Sequence, residues 1–206
     1  MADPPNPSRL RQVRLLLWAL VAIAVAGAAA LLLVPRARTD APGLETAPAS
    51  FRGPFTLIDA DGHAFSSQAL AGKPYAIYFG FTRCGDICPM TLSRLVKLRR
   101  QAANDAALRI VFVTIDPKHD GPKDVGQYAE LFGAPIIGLT GSEAQIDQVK
   151  KQYGIYAEPV PHAAMGQEME HTGTVLLFDS DGTFAGTISP DEPDASALAK
   201  IERLVH

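Results

Sequence analysis

The sequence predicts an α/β domain, a mixed sheet flanked by helices, carried behind an N-terminal transmembrane helix. Three observations predict it. Two nearly continuous apolar runs, Tyr75 to Phe81 and Leu108 to Ile115, are rich in β-branched and aromatic residues and read as strands covered on both faces. Helical periodicity fills the interval between them. Two Asp-Gly pairs, Asp61-Gly62 and Asp181-Gly182, each sit between short apolar stretches and mark hairpins toward the two ends of the domain.

In chain order, residues 1–14 read as a short tail and residues 15–34, Leu15 to Val34, as an uncharged apolar run. A helix rising about 1.5 Å per residue crosses a hydrocarbon core of about 30 Å in about 20 residues, so a membrane span is expected here. Arg9, Arg11 and Arg14 precede it, which favours a cytoplasmic N-terminus and puts the following residues outside the cytoplasm. Arg36 and Arg38 stand where a cleavable signal would want small residues, so the span is expected to remain as an anchor. Residues 35–50, rich in Pro, Ala and Thr without apolar periodicity, read as a tether, and residues 51–206 as the domain.

The chain has 206 residues, 47% of them hydrophobic, enough for one ordinary core. Of its 19 Lys and Arg and 22 Asp and Glu, the first 50 residues hold five and three, which leaves the domain with 14 against 19. That acidic balance offers no footprint for nucleic acid, and none is expected as a partner.

The domain opens with the hairpin "PFTLIDADGHAF". After the first buried strand, Leu92, Leu95 and Val96 recur at helical spacing from Cys88 onward, while Arg94, Lys97, Arg99 and Arg100 occupy other faces and read as a solvated basic surface. With the second buried strand this makes a β-α-β unit. A helix near Lys123 to Leu131, a short strand in "APIIGL" and a helix from Ser142, a capping residue type, to Tyr153 continue the alternation. "TVLLFDSDGTFAGTIS" is the second hairpin, and "DASALAKIERLV" after Pro193 is a closing amphipathic helix. Parallel strands in the middle with hairpins at both ends form a thioredoxin-like pattern.

"FTRCGDICPM" contains the only two cysteines, Cys84 and Cys88. They fall where a buried strand gives way to a helix, at the edge of the sheet where redox and ligand sites of α/β folds collect. Pro89 is tolerated in a first helical turn and keeps Cys88 out of the helical region, so the short loop can bring both sulfurs to one point. Free amides and the positive end of the helix dipole there favour thiolate. A local structural disulfide would close too short a loop to constrain the unfolded chain much. Two readings stay open: a redox couple, and a pair of soft ligands. Copper(I) accepts low coordination and suits two sulfurs with an imidazole, whereas structural zinc wants four ligands.

Of the five histidines, His171 stands immediately before an apolar strand of the same sheet and could approach the cysteines on a loop; a hydrogen-bonding role is the alternative. His63, His119 and His206 read as solvated, and His162 as ambiguous. Met165 and Met169 carry copper-compatible thioethers, with loop packing as the competing reading.

With these residues in view, the chain resembles the Sco (synthesis of cytochrome oxidase) family, also called SenC, over most of the domain. The resemblance rests on "GPFTLIDADGHAF", "YFGFTRCGDICPMTLSRL", "VFVTIDPKHD" and "EHTGTVLLFDSDGTF" in that order. It implies a membrane-tethered, thioredoxin-like copper chaperone in which Cys84, Cys88 and His171 bind copper as Cu(I) or Cu(II). The implied acceptor is the copper A-bearing subunit of a respiratory cytochrome oxidase, to which copper is delivered or whose thiols are reduced beforehand. An upstream copper donor or thiol reductant is implied as a second partner. The alternative activity is that of a thiol-disulfide oxidoreductase working through Cys84 and Cys88. The implied location is the periplasmic side of a bacterial inner membrane, or the intermembrane-space side of a mitochondrial one. Asp86 falls at the family's acidic position, and Asp116, Pro117 and Asp120 match its Asp-Pro-x-x-Asp loop, read here as a structural turn. Gly85 and Arg83 depart from the family's usual proline and histidine, which changes the loop without removing a ligand.

Overall fold

The structure is a computed structural model that describes residues 53–104, 107–160 and 169–206, together with Leu15, Leu17, Trp18, Leu20 and Val21. The chain divides into two units, Met1–Thr46 and Ala47–His206. In the first, the five described residues are helical and exposed. The rest of the expected span 15–34, the tether 35–50, the flanking arginines 9, 11, 14, 36 and 38, and His162 and Met165 lie outside the described residues. Among the described residues no helix is long and apolar enough to cross a membrane.

The second unit opens with a separate antiparallel pair, β1 (Thr56–Ile58) and β2 (Ala64–Ser66), followed by a 3-10 turn at Ser67–Leu70. Then come β3 (Tyr75–Gly80), α1 (Ile87–Gln101), β4 (Arg109–Thr114), α2 (Pro122–Glu130), β5 (Ile136–Leu139) and α3 (Glu143–Gln152). A second small pair, β6 (Ala157–Pro159) and β7 (Met169–His171), precedes β8 (Val175–Phe178), β9 (Phe184–Ile188) and α4 (Asp194–Val205). The central sheet runs β5-β4-β3-β8-β9, parallel through β5, β4 and β3 and antiparallel through β8 and β9.

Local chemistry explains these elements. All six residues of β3 are buried, as its unbroken apolar run requires of a central strand. Both hairpins turn through glycines with φ of 82°, Gly62 and Gly182, a conformation that costs a residue with a Cβ. Ser142 caps α3 in a reciprocal box: its hydroxyl accepts the Gln145 amide, and the Gln145 side chain accepts the Ser142 amide at 2.9 Å. In α4, Ala197, Ile201 and Val205 recur every fourth residue and form the buried stripe.

The basic cluster on α1 is more than a solvated face: Lys97 and Arg100 are exposed, yet all four side chains are engaged. Arg94 donates to Asp194 at 2.8 Å and to the carbonyls of Ser189, Pro190 and Glu192, and Lys97 reaches the same Asp194 at 3.0 Å. Arg99 is buried and donates to the Pro135 carbonyl, and Arg100 donates to that of Gly133. Loop carbonyls beside α1 need donors, and long guanidinium side chains reach them where backbone amides do not. The cluster therefore fastens α1 to α4 and to the loop before β5.

Candidate metal centre

The cysteine loop runs from the end of β3 to the start of α1. Its geometry begins at Gly80, where a Cβ would stand 2.9 Å from the Cys88 sulfur, 3.1 Å from the Tyr78 ring and 3.2 Å from the Phe112 ring. Only a residue without a side chain leaves Cys88 room against the strand. The sequence signal for this close approach is a glycine closing an apolar strand run.

The loop is held from the side by the segment after β4. Asp120, with no exposed surface, accepts the Thr82 amide at 2.9 Å, the Thr82 hydroxyl at 2.5 Å and the Thr114 hydroxyl at 2.6 Å. Asp116 accepts from Arg83 at 2.7 Å and stands 2.9 Å from His119 Nδ1. These carboxylates grip the two residues before Cys84 and are not among the clustered donors. His63 forms a second cluster with Asp59 and Asp61, but there the Asp59 carboxylate accepts the amides of Asp61 and His63 and completes the hairpin turn. His206 is exposed at the C-terminus.

Within the loop the Cys84 amide donates to the Phe81 carbonyl at 3.2 Å, and the Cys88 amide points at the Cys84 sulfur from 3.4 Å. Cys84 and Cys88 are both buried and free of disulfide.

His171 arrives from the opposite side of the sequence. It was expected on a loop leading into the strand at Val175; instead it is the last residue of β7, opposite Ala157 of β6. Thr172 continues the pairing through its amide to the Tyr156 carbonyl at 3.0 Å. This strand pair carries no strong apolar alternation, which is why the sequence did not reveal it. The His171 Nδ1 lies 3.1 Å from the Thr172 carbonyl, the geometry of an Nδ1–H donor, which leaves the Nε2 lone pair directed inward. Nε2 is 3.4 Å from the Cys88 sulfur. Phe81 and Tyr78 meet the ring edge-on, at centroid distances of 5.9 and 6.2 Å.

One donor atom from each of Cys84, Cys88 and His171 therefore lies within 4.8 Å of the other two. A cleft of about 330 Å³ reaches Cys84 and His171, lined also by Asp86, Ile87 and Met169, while Cys88 lies buried behind them. Met169 is half-buried against the core.

The two sulfurs are electrostatically unequal. A hydrogen bond from Cys88 holds the Cys84 thiol down to about 4, against the opposing effect of burial and with help from His171 and the amides of Asp86 and Cys88. The same hydrogen bond, now with burial, pushes the Cys88 thiol up. The metal-free pair is thus one thiolate and one thiol, a donor set from which a soft cation displaces a single proton. Tyr78, fully buried, has its phenol pushed up by burial and by the neighbouring Cys88.

The SCO1/SenC family profile matches residues 44–206. A ScoI of Bradyrhizobium japonicum, solved with copper bound, is 33% identical with a TM-score of 0.66 over 74% of this chain and 98% of that one. Yeast Sco1, also solved with copper bound, is 32% identical with a TM-score of 0.65 over 73% of this chain and 86% of that one. The mitochondrial protein SCO2 of Saccharomyces cerevisiae is 32% identical over 157 residues, 74% of this chain and 52% of that protein, so the match spans about half of that relative's length.

Proposed function

The chain belongs to the SCO1/SenC family, and from that premise we propose that its domain is a copper chaperone in which Cys84, Cys88 and His171 hold the metal. What supports this most directly is the convergence of two sulfurs and one imidazole nitrogen within 4.8 Å. The donor set fits copper in particular. Thiolates and imidazole suit a soft, low-coordinate ion, while a structural zinc would want a fourth donor of the same kind.

Each residue has a definite task. Cys84 is already a thiolate and offers the first anchor; Cys88 gives up its proton as the metal seats. His171, its other nitrogen occupied by the Thr172 carbonyl, presents Nε2 without needing to change tautomer. Asp120 and Asp116 keep the loop from spreading. The cleft leaves one side of the cargo reachable, so an acceptor's ligand can attach before the three donors release.

The acceptor in this reading is the copper A-bearing subunit of a cytochrome oxidase, with an upstream copper donor or thiol reductant feeding the site. Residues 15–34 anchor the chain in a bacterial inner membrane and hold the domain in the periplasm, where a thiol pair depends on a reductant. A mitochondrial inner membrane facing the intermembrane space is the equivalent setting.

The placement of Cys84 before the first turn of α1, with the Cys88 amide 3.4 Å from its sulfur, favours a second reading. A Cys84 thiol held down to about 4 beside a protonated Cys88 is the arrangement of a thiol-disulfide oxidoreductase. Anaerobic titration of the reduced protein with Cu(I) against a chelating competitor separates the two. The chaperone reading requires tight binding of one equivalent that is strongly weakened, with the remaining donors still holding copper at high loading, in Cys84→Ser and Cys88→Ser. Negligible binding by the native protein, with reduction of a test disulfide that survives His171→Ala, would establish the second instead.

A further inference from the structure

The phenol of Tyr78 belongs to no structural network. It is fully buried in the middle of β3, and its hydroxyl makes no hydrogen bond of good geometry with any described group. A buried hydroxyl in that condition is destabilising unless something else keeps it there.

Its neighbours identify what that is. Tyr78 and Gly80 lie two residues apart in β3 and share one face of the strand. A Cβ on Gly80 would meet the Cys88 sulfur and the Tyr78 Cε1 at 2.9 and 3.1 Å, so the hydroxyl-bearing edge of the ring and that sulfur crowd the same point. The Cys88 and Thr91 side chains are polar neighbours of the phenol. The ring also meets His171 edge-on. Tyr78 thus lies beside two of the three donors, and its hydroxyl makes no hydrogen bond of standard geometry with either in the metal-free protein.

We propose that Tyr78 is a positioning and tuning residue of this centre: its hydroxyl donates a hydrogen bond to the Cys88 sulfur once that sulfur carries metal, and so biases the site toward Cu(I). The inference rests on the copper reading above. Cys88 as a thiol has little need of a donor; as a metal-bound thiolate it is a strong acceptor. Thr91, three residues along α1, offers a hydroxyl for the phenol oxygen, which leaves the phenol proton for sulfur. A donor aimed at a thiolate withdraws electron density from it and weakens its bond to electron-poor Cu(II) more than to Cu(I). Hydrogen bonding around a cysteine ligand is an established lever on copper potentials.

Tyr78→Phe removes the hydroxyl and keeps the ring. The measurements are Cu(I) and Cu(II) affinities by competition, the thiolate-to-Cu(II) charge-transfer band, and the denaturant midpoint of the metal-free protein. The proposal expects the Cu(I)-over-Cu(II) affinity ratio to fall about tenfold, the low end for loss of a partner that tunes a metal ligand. The band should shift, and the metal-free protein should be no less stable than native. An unchanged ratio and band would overturn it, as would a loss of stability that lowers both affinities equally. Should Tyr78→Phe not fold, the native protein is compared in H2O and D2O by resonance Raman. A deuterium shift of the copper–sulfur stretch that survives in Cys84→Ser supports a donor at Cys88, and its absence overturns the proposal. Failure of the native protein to bind copper would remove the chaperone reading and this inference together, a result distinct from an unaltered Tyr78→Phe.

Discussion

His171 Nε2 stands 3.4 Å from Cys88 Sγ, although 83 positions separate the two residues in the chain. The contact joins the first turn of α1 to the end of β7, two elements fixed by unrelated parts of the fold. A relationship of that kind is held by the tertiary fold, through α1 and the separate β6–β7 pair, and not by a local loop, so the centre is assembled before any metal arrives.

Removing the imidazole therefore removes a donor without removing a structural support. His171→Ala should lower copper affinity by more than about tenfold, the low end for the loss of a residue that merely supports a ligand. The metal-free melting temperature should stay near the native value, since His171 is only half-buried. Chelator competition and thermal denaturation check both halves.

The depressed Cys84 thiol makes metal-free stability depend on pH. Its folded value of about 4 lies below the ordinary 9.0, so between these limits the unfolded chain binds more protons at this site than the folded one. The stabilisation is complete above 9.0 and is lost as pH falls toward 4. Cys88, raised, acts in the opposite sense: its contribution is complete below 9.0 and lost as pH rises beyond. The denaturant midpoint of the reduced native protein, measured relative to Cys84→Ser, should climb steadily from about pH 5 to about pH 8. A flat difference would contradict the assigned thiolate.

Gly80→Ala places a methyl group 2.9 Å from the Cys88 sulfur, with two aromatic rings closing the other sides. Overpacking of this sort costs about 1–3 kcal/mol. Copper affinity should fall as well, because the group that must yield is itself a donor. Denaturation and Cu(I) competition on the same variant test the pairing of the two effects.

Asp120→Ala strands the Thr82 amide, the Thr82 hydroxyl and the Thr114 hydroxyl in the interior. Each loss of a buried partner costs about 1–3 kcal/mol. Asp120→Asn, which keeps one acceptor, should recover part of the stability, and equilibrium unfolding of both variants tests that order.

Much of this architecture is legible in the residues because it depends on local chemistry. Continuous apolar runs mark β3 and β4, and Asp-Gly pairs mark both hairpins, since only a few residues tolerate the turn they form. The cysteine pair is legible for the same reason, being placed by a strand end, although Cys88 lies within the first turn of α1 and not outside the helix as Pro89 led one to expect. What depends on distant parts of the chain is not. The three-residue strands β6 and β7 carry no periodicity, yet they determine where His171 stands. The arginines of α1 look solvated by their helical phase, and only the folded chain brings Asp194 and the loop carbonyls to them. Tyr78 reads as one more core aromatic until its hydroxyl is found unpaired beside Cys88.

X-ray absorption spectroscopy of the Cu(I)-loaded protein tests the central claim most directly, because it counts the atoms bound to the metal. The account predicts two sulfurs and one nitrogen per copper, one sulfur in Cys88→Ser, and loss of the nitrogen in His171→Ala. A shell without sulfur, or a sulfur count unchanged in Cys88→Ser, would contradict it.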